Sequence, residues 1–153
     1  MNILLLGKTG QVGQSILSAN KSNHRILSFN RDEMPLEKQE ELSISLSDVL
    51  KKNHIDFIIN AAAFTDVDGA EDNSNLAYEV NGNSLLTITQ QIKRKSINKK
   101  VVLIHFSTDY VFDGSGKKPW FPNSNTNPLS TYGKSKIMGE KIIRESKLRT
   151  KEN

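Results

Sequence analysis

The chain has 153 residues, 36% apolar and 25% charged, with a net charge of +4 and no cysteine. That length suits one domain with its own core, and the missing cysteines exclude disulfides and thiolate zinc sites and fit a reducing, cytoplasmic setting. No apolar run approaches the ~20 residues of a membrane helix, and Ile3-Leu4-Leu5-Leu6 lacks the flanks of a secretory leader, so no leader, membrane partner or metal site is expected.

Nucleic acid is not an expected partner either. The cations are scattered except for Lys93-Arg94-Lys95 and Lys99-Lys100, which fall where a helix ends. Cations suit a helix C-terminus, and no aromatic residues interleave with them as a base-stacking platform requires.

Taken in order, the chain alternates strand and helix. Residues 2–6 are a short apolar run ended by Gly7, which predicts a buried strand. Gln11–Ala19 places Val12, Ile16 and Leu17 at helical spacing, and residues 25–29 predict a second strand. Glu41–Ile44 alternates as a weak third strand, and Ser47 stands where it can cap a short helix through Lys52. Asp56–Asn60 predicts a fourth strand. Ser74–Lys95 predicts a long helix with Leu76, Val80, Leu85, Ile88 and Ile92 near one face. Val101–Phe106 is the fifth and most apolar strand, residues 113–128 are loop, and Tyr132–Ser146 is the last helix. The alternation predicts an α/β fold, a doubly wound, Rossmann-like parallel sheet of five strands in the order 3-2-1-4-5. Residues 1–146 form the expected NAD(P)-binding domain, and residues 147–153 a tail or the remnant of a next strand, with Leu148-Arg149-Thr150 as the candidate.

Gly7-Lys8-Thr9-Gly10-Gln11-Val12-Gly13 follows the first strand and opens the first helix. Glycine suits a sharp turn and a close approach of backbone to a pyrophosphate, and the helix N-terminus offers free N–H groups to phosphate. A plain strand-to-helix turn is the alternative; the strand–turn–helix context favours a dinucleotide. The second strand ends at Asn30-Arg31-Asp32, where such folds meet the adenosine ribose. An acidic side chain there suits a free 2′-hydroxyl and an arginine a 2′-phosphate; with both present, the expectation is NADPH with NADH tolerated. A solvated polar loop is the competing reading of the same residues.

Tyr132-Gly133-Lys134-Ser135-Lys136 sets tyrosine and lysine four apart, on one face of a helix. A cation near a phenol lowers its proton affinity, so the tyrosine can protonate an alkoxide formed as hydride reaches a carbonyl. Chance neighbours on a helix surface would give the same spacing. The fifth strand, however, runs into Ser107-Thr108-Asp109-Tyr110-Val111-Phe112-Asp113-Gly114, which puts a hydroxyl at the sheet end where ligands bind. The fourth strand ends in Asn60-Ala61-Ala62-Ala63-Phe64-Thr65, small enough for a cofactor to pass close to the backbone.

With these pieces in this order, the chain resembles the extended short-chain dehydrogenase/reductases, and among them the dTDP-4-dehydrorhamnose reductase family. The match is carried by residues 1–13, Asn60–Thr65 with Val67-Asp68 and Ala70-Glu71, Val80-Asn81, Ser107–Gly114, and Tyr132–Lys136 with Gly139-Glu140. It covers nearly the whole chain and about the first half of the family's length. The resemblance implies hydride transfer from NADPH or NADH to the 4-keto group of a dTDP-6-deoxyhexulose. It implies that Thr108 positions the carbonyl with Asp109 beside the substrate, that Tyr132 is the general acid, and that Lys136 tunes Tyr132 and holds the ribose. Gly7, Gly10, Gln11, Val12 and Gly13 would take the pyrophosphate, Asn30 and Arg31 the adenosine, and Ala63, Phe64, Thr65 and Phe106 the cofactor channel. Asn81 would tie the end of the fourth strand in place. The chain departs from the family pattern at Ser43-Ile44, at Gly69, at Phe121-Pro122-Asn123-Ser124, and in stopping at Lys151-Glu152-Asn153 before a substrate lobe. The implied protein is a truncated reductase with little activity alone. A non-catalytic nucleotide-binding or regulatory subunit is the alternative, and a split enzyme completed by another chain a third. The fifth strand, left at an edge, predicts self-association or a complementary chain.

Overall fold

The computed structural model describes residues 1–95 and 100–148. Lys99, Arg149 and Thr150 lie outside them, so neither the Lys99-Lys100 pair nor the candidate remnant strand is described in full. The elements are β1 (Asn2–Leu6), α1 (Gln11–Ser18), β2 (Arg25–Phe29), α2 (Gln39–Lys52), β3 (Phe57–Asn60), α3 (Gly69–Asp72), α4 (Ser74–Tyr78), α5 (Ser84–Lys95), β4 (Val102–His105) and α6 (Thr131–Glu145). A π turn, Glu79–Asn83, joins α4 to α5, and a 3₁₀ turn, Asp109–Val111, follows β4.

The strands form one parallel sheet in the order β2-β1-β3-β4. This is the expected doubly wound α/β order with the third strand missing. Residues 41–44 are helical, inside α2. Their alternation misleads: Leu42, Leu46 and Leu50 recur at i, i+4 and i+8 and are buried, whereas Ile44 is 61% exposed. Burying that stripe is worth about 1.5–3 kcal/mol per leucine, and a strand would have turned Ile44 inward and discarded the stripe. Ser47 is therefore an interior residue of α2 and caps nothing; Glu40 and Glu41 in the first turn and Lys51 and Lys52 in the last suit the helix dipole.

The chain moves from β1 outward to β2, then back across to β3 and β4. Right-handed crossovers put α1 on one face and α2 with α5 on the other. Leu4, Leu6 and Ile58 meet Leu42, Leu46, Leu85, Ile88 and Ile92 in the main core, with Ile142 and Ile143 of α6 packed against it. Ile3 and Leu5 point to the α1 face by strand alternation. On that face Ile104 of β4 remains 39% exposed. The β4 edge has no further strand among the described residues.

The predicted helix over 74–95 is continuous in direction but not in type. At its centre Asn81, 1% exposed, accepts from Phe64 N–H at 2.9 Å, donates to Phe64 O at 2.9 Å, and donates to Ser135 Oγ at 3.0 Å. The π turn places this side chain where it can tie the end of β3 to α6. The helices close up there because Gly139 lacks a Cβ: one would stand 2.4 Å from Asn81 O.

Candidate active site

All the chemistry-bearing loops leave the carboxyl ends of the strands, as the sheet's strand-order switch at β1 and β3 leads one to expect. After β1 the chain turns at Gly7 with φ +89°, and a Cβ there would lie 2.7 Å from Ala62 N. The loop is thus pressed onto the residues that follow β3. Gly7 N and Lys8 N both donate to Phe29 O, at 2.9 and 3.1 Å, which fastens the loop to the end of β2. Gly13 lies behind the loop: a Cβ there would stand 2.1 Å from Gly7 O.

Gly10 is different. A Cβ on it would meet only Gly7 O, at 3.6 Å, so nothing in the protein demands glycine at this position. It is the N-cap of α1, and no side chain caps that helix. In front of it is a cavity of about 500 Å³. Gly7, Gly10, Gln11, Val12, Asn30, Arg31, Ala63, Phe64 and Thr65, all expected from sequence, line it. So do Leu6, Thr9 and Val80, with Ala61 and Ala62 of the small-residue stretch expected to border the cofactor, and Met34, Leu36 and Glu37, which sequence reasoning did not single out. Uncapped first-turn N–H groups, room before Gly10 and an alanine-lined wall fit a dinucleotide with its pyrophosphate at the helix end. At the far end Arg31 Nε pairs with Glu37 at 2.7 Å, and Lys8 Nζ pairs with Glu33 at 2.7 Å. Lys8 and the Asn30 N–H hold the Glu33 carboxyl below its usual range.

Gly13, Phe106, Thr108, Asp109, Tyr132 and Lys136 do not line this cavity. Apart from Gly13, they cluster beside it, between β4 and α6. Phe64 belongs to both regions, lining the cavity and packing against buried Tyr132, Ala70 and Ala77. The N-terminus of α6 is fixed by Ser130 Oγ, which accepts from Gly133 N–H at 3.1 Å, and by Glu71, which accepts from Thr131 N–H at 2.8 Å and Thr131 Oγ1 at 2.7 Å. Those two bonds, the hydroxyl's first, lower the Glu71 pKa. Thr108 caps the 3₁₀ turn by accepting from Tyr110 N–H at 3.3 Å, and donates to Asp109 at 3.2 Å. Tyr110 packs edge-on against Tyr132, centroids 5.6 Å apart, which brings the Thr108 turn and Tyr132 together.

Lys136 is 2% exposed. Its Nζ donates to Phe106 O at 2.6 Å and lies 3.3 Å from His105 Nε2. Burial lowers its pKa to about 8, against a smaller upward pull from Glu140. His105, in register with Asn60, has its Nδ1 3.3 Å from Asn60 Nδ2; burial first, and Lys136 second, lower its pKa to about 3. Glu140 accepts from Ser107 Oγ. Sequence reasoning did not assign His105, Asn60 or Glu140 to the site. A histidine closing an otherwise apolar strand was the available signal.

Fold and site together define a Rossmann-like α/β domain. The family model of the RmlD substrate binding domain matches residues 1–151, and the chain belongs to that family. It is 37% identical over 145 residues to the dTDP-4-dehydrorhamnose reductase of Shigella flexneri, covering 95% of this chain and 47% of that protein. Among solved structures it is similar to the dTDP-4-dehydrorhamnose reductase of Bacillus anthracis in complex with NADP, with a TM-score of 0.82 and 27% identity over 94% of this chain and 49% of that one. The Yersinia enterocolitica enzyme of the same name gives a TM-score of 0.83 and 27% identity, over 95% of this chain and 48% of that one. The chain thus spans about half the length of the relatives it matches.

Proposed function

We propose that these residues are the cofactor-binding part of an NAD(P)H-dependent reductase that acts on the 4-keto group of a dTDP-6-deoxyhexulose. The observation that carries the reading is the uncapped N-terminus of α1 opening on a cavity with room in front of Gly10. The substrate class rests on the reductases named above. Residues 1–146 are proposed as the dinucleotide-binding domain of a cytoplasmic protein, with NADPH preferred and NADH tolerated.

In this reading Gln11 and Val12 face the pyrophosphate with backbone N–H groups, Gly7 and Gly10 let it approach the loop closely, and Gly13 lets α1 pack onto the loop. Asn30 and Arg31 face the adenosine, and Ala63, Phe64 and Thr65 the nicotinamide half, with Phe106 orienting Lys136 through its carbonyl. Bound NADPH supplies the hydride. Thr108 holds the substrate carbonyl beside Asp109, Tyr132 gives its phenol proton to the developing alkoxide, and Lys136 as a cation lowers the proton affinity of Tyr132 and donates to the ribose. The relatives carry about as much chain again beyond the matched part, and we assign most of the grip on the sugar nucleotide to that part. The 153 residues by themselves are expected to bind dinucleotide and to turn over little.

Calorimetric titration with NADPH and NADH tests the reading. Binding of both, with NADPH tighter, is expected; no binding of either removes the proposal. Any NADPH oxidation seen with the 4-keto sugar nucleotide should fall about 10²–10⁴-fold in Tyr132→Phe. Binding with no turnover even beside a complementary chain would point to a non-catalytic nucleotide-binding subunit.

A further inference from the structure

We infer that His105 is a positioning residue for Lys136: held by Asn60 as its Nε2–H tautomer, the imidazole donates toward the lysine nitrogen and favours the neutral amine there. The inference rests on the reading of Lys136 as part of the reductase site.

A backbone N–H can only donate. The backbone N–H of Ala62 donates to Asn60 Oδ1 at 3.2 Å. That fixes which end of the carboxamide is oxygen, so the atom facing His105 Nδ1 at 3.3 Å is the NH₂ nitrogen. An amide NH₂ donates and does not accept. Nδ1 must therefore accept, and a neutral imidazole that accepts at Nδ1 carries its proton on Nε2. The doubly protonated ring has no acceptor at all, and burial makes it unfavourable.

Nε2–H then faces Lys136 Nζ at 3.3 Å. An ammonium has no lone pair to receive it, whereas an amine has one. Phe106 O, at 2.6 Å, accepts from either form. The titratable groups facing Lys136 are His105 from β4 and, on its own helix, Glu140 one turn later and Tyr132 one turn earlier. Glu140 opposes the effect, but its carboxylate also accepts from Ser107 and lies 3.9 Å from Arg144. A lysine kept ready to release its proton suits a site that spends one per turnover. After Tyr132 has protonated the alkoxide, Lys136 returns a proton to the phenolate, and the amine left behind accepts from His105 Nε2–H.

Nitrogen-15 spectra of the histidine rings in the whole chain test this directly, with His105→Phe identifying the His105 signals by their loss. From about pH 6 to about pH 9 the expected pattern is a bare Nδ1 and a proton-bearing Nε2. A proton on Nδ1 overturns the inference without any variant having to fold. Asn60→Asp offers Nδ1 an acceptor, which should move the ring proton to Nδ1 and leave Nε2 free to accept from the ammonium. The carbon-13 titration midpoint of the Lys136 ε-carbon should then rise by about one pH unit more than Asn60→Asp raises it in a His105→Phe background, where only the added charge acts. Equal shifts in the two backgrounds overturn the inference. Failure to bind NADPH would remove the proposed function and leave this outcome readable.

Discussion

The cavity at the glycine loop and the cluster at Lys136 share one end of the sheet but are built from different materials. The first is mostly backbone: a glycine at φ +89°, an uncapped helix end and an alanine-lined wall. Its charged rim, Arg31 with Glu37, is in reach of solvent. The second is polar side chains, buried Asn60 and Lys136 and half-buried His105, whose bonds run to one another and to the main chain. Shape governs the first region, so its sensitivity is steric. Desolvation governs the second, so its sensitivity is to protons.

The largest effect expected from this contrast is steric. Gly13→Ala places a methyl 2.1 Å from Gly7 O, a contact that only backbone movement relieves. It should cost at least about 3 kcal/mol of stability and remove measurable dinucleotide binding. Gly10→Ala has 3.6 Å of clearance. It should leave the unfolding free energy measured in urea within about 0.5 kcal/mol of the parent while weakening NADPH binding. Equal loss of stability in both variants would break the distinction between a packing glycine and a ligand-facing one.

A smaller effect belongs to the buried cluster. The pKa of Lys136 falls from its usual 10.5 to about 8 on folding. Between those values the unfolded chain still holds a proton that the folded chain has released, so stability rises with pH across that window. Below about pH 8 both states are protonated and the folded state bears the full cost of the buried charge, on the order of 3 kcal/mol. Lys136→Met should therefore be the more stable protein near pH 7 and should lack the rise that the parent shows toward pH 10. Parallel denaturation curves for the two proteins at both pH values would refute this. His105 acts at the other end: its folded pKa lies near 3, so its contribution is complete above about pH 6.5 and is lost progressively as pH falls toward 3.

This division also explains what the sequence disclosed. Backbone features announce themselves in short spans, because Gly7, Gly10 and Gly13 sit within seven residues and the strand before them is apolar. The sheet order and the cavity wall at residues 61–65 were legible for the same reason. The buried cluster was half legible. Tyr132 and Lys136 are helical neighbours, but His105 meets partners 45 and 31 residues away, and no local pattern reports that. The third-strand expectation at 41–44 failed on period: four residues alternate as a strand does, while the nine-residue span Leu42–Leu50 repeats as a helix does, and the longer repeat buries more. The π turn at Glu79–Asn83 has no sequence signature beyond Asn81, whose partners Phe64 and Ser135 lie far off in the chain.

On the rim, Arg31 sharpens the comparison by about one decade. Its side chain is 66% exposed, with Nε engaged by Glu37, so a 2′-phosphate gains a partly screened partner. Arg31→Ala should weaken NADPH binding about tenfold and leave NADH within about twofold. Equal losses for the two cofactors would assign Arg31 to the adenine or ribose and remove the basis for an NADPH preference.

The smallest expected effect on the folded chain concerns the edge that neither region uses. Val102–His105 pairs with β3 on one side only among the described residues, and it contains no lysine or proline to blunt the other. Its outward residue on the α1 face, Ile104, is 39% exposed. An unpaired ladder beside an exposed isoleucine invites another strand, from a second copy or from a complementary chain. The contact would be short, four residues long, so association should be weak and concentration-dependent. Light scattering across a concentration series should show a rising mean mass. Ile104→Lys should suppress that rise with little change in thermal midpoint, because the side chain is already partly solvated and lysine on an edge strand repels a like neighbour. A parent chain that remains monomeric at every concentration would refute an edge open to pairing. Mass growth unchanged by Ile104→Lys would place the contact on some other face.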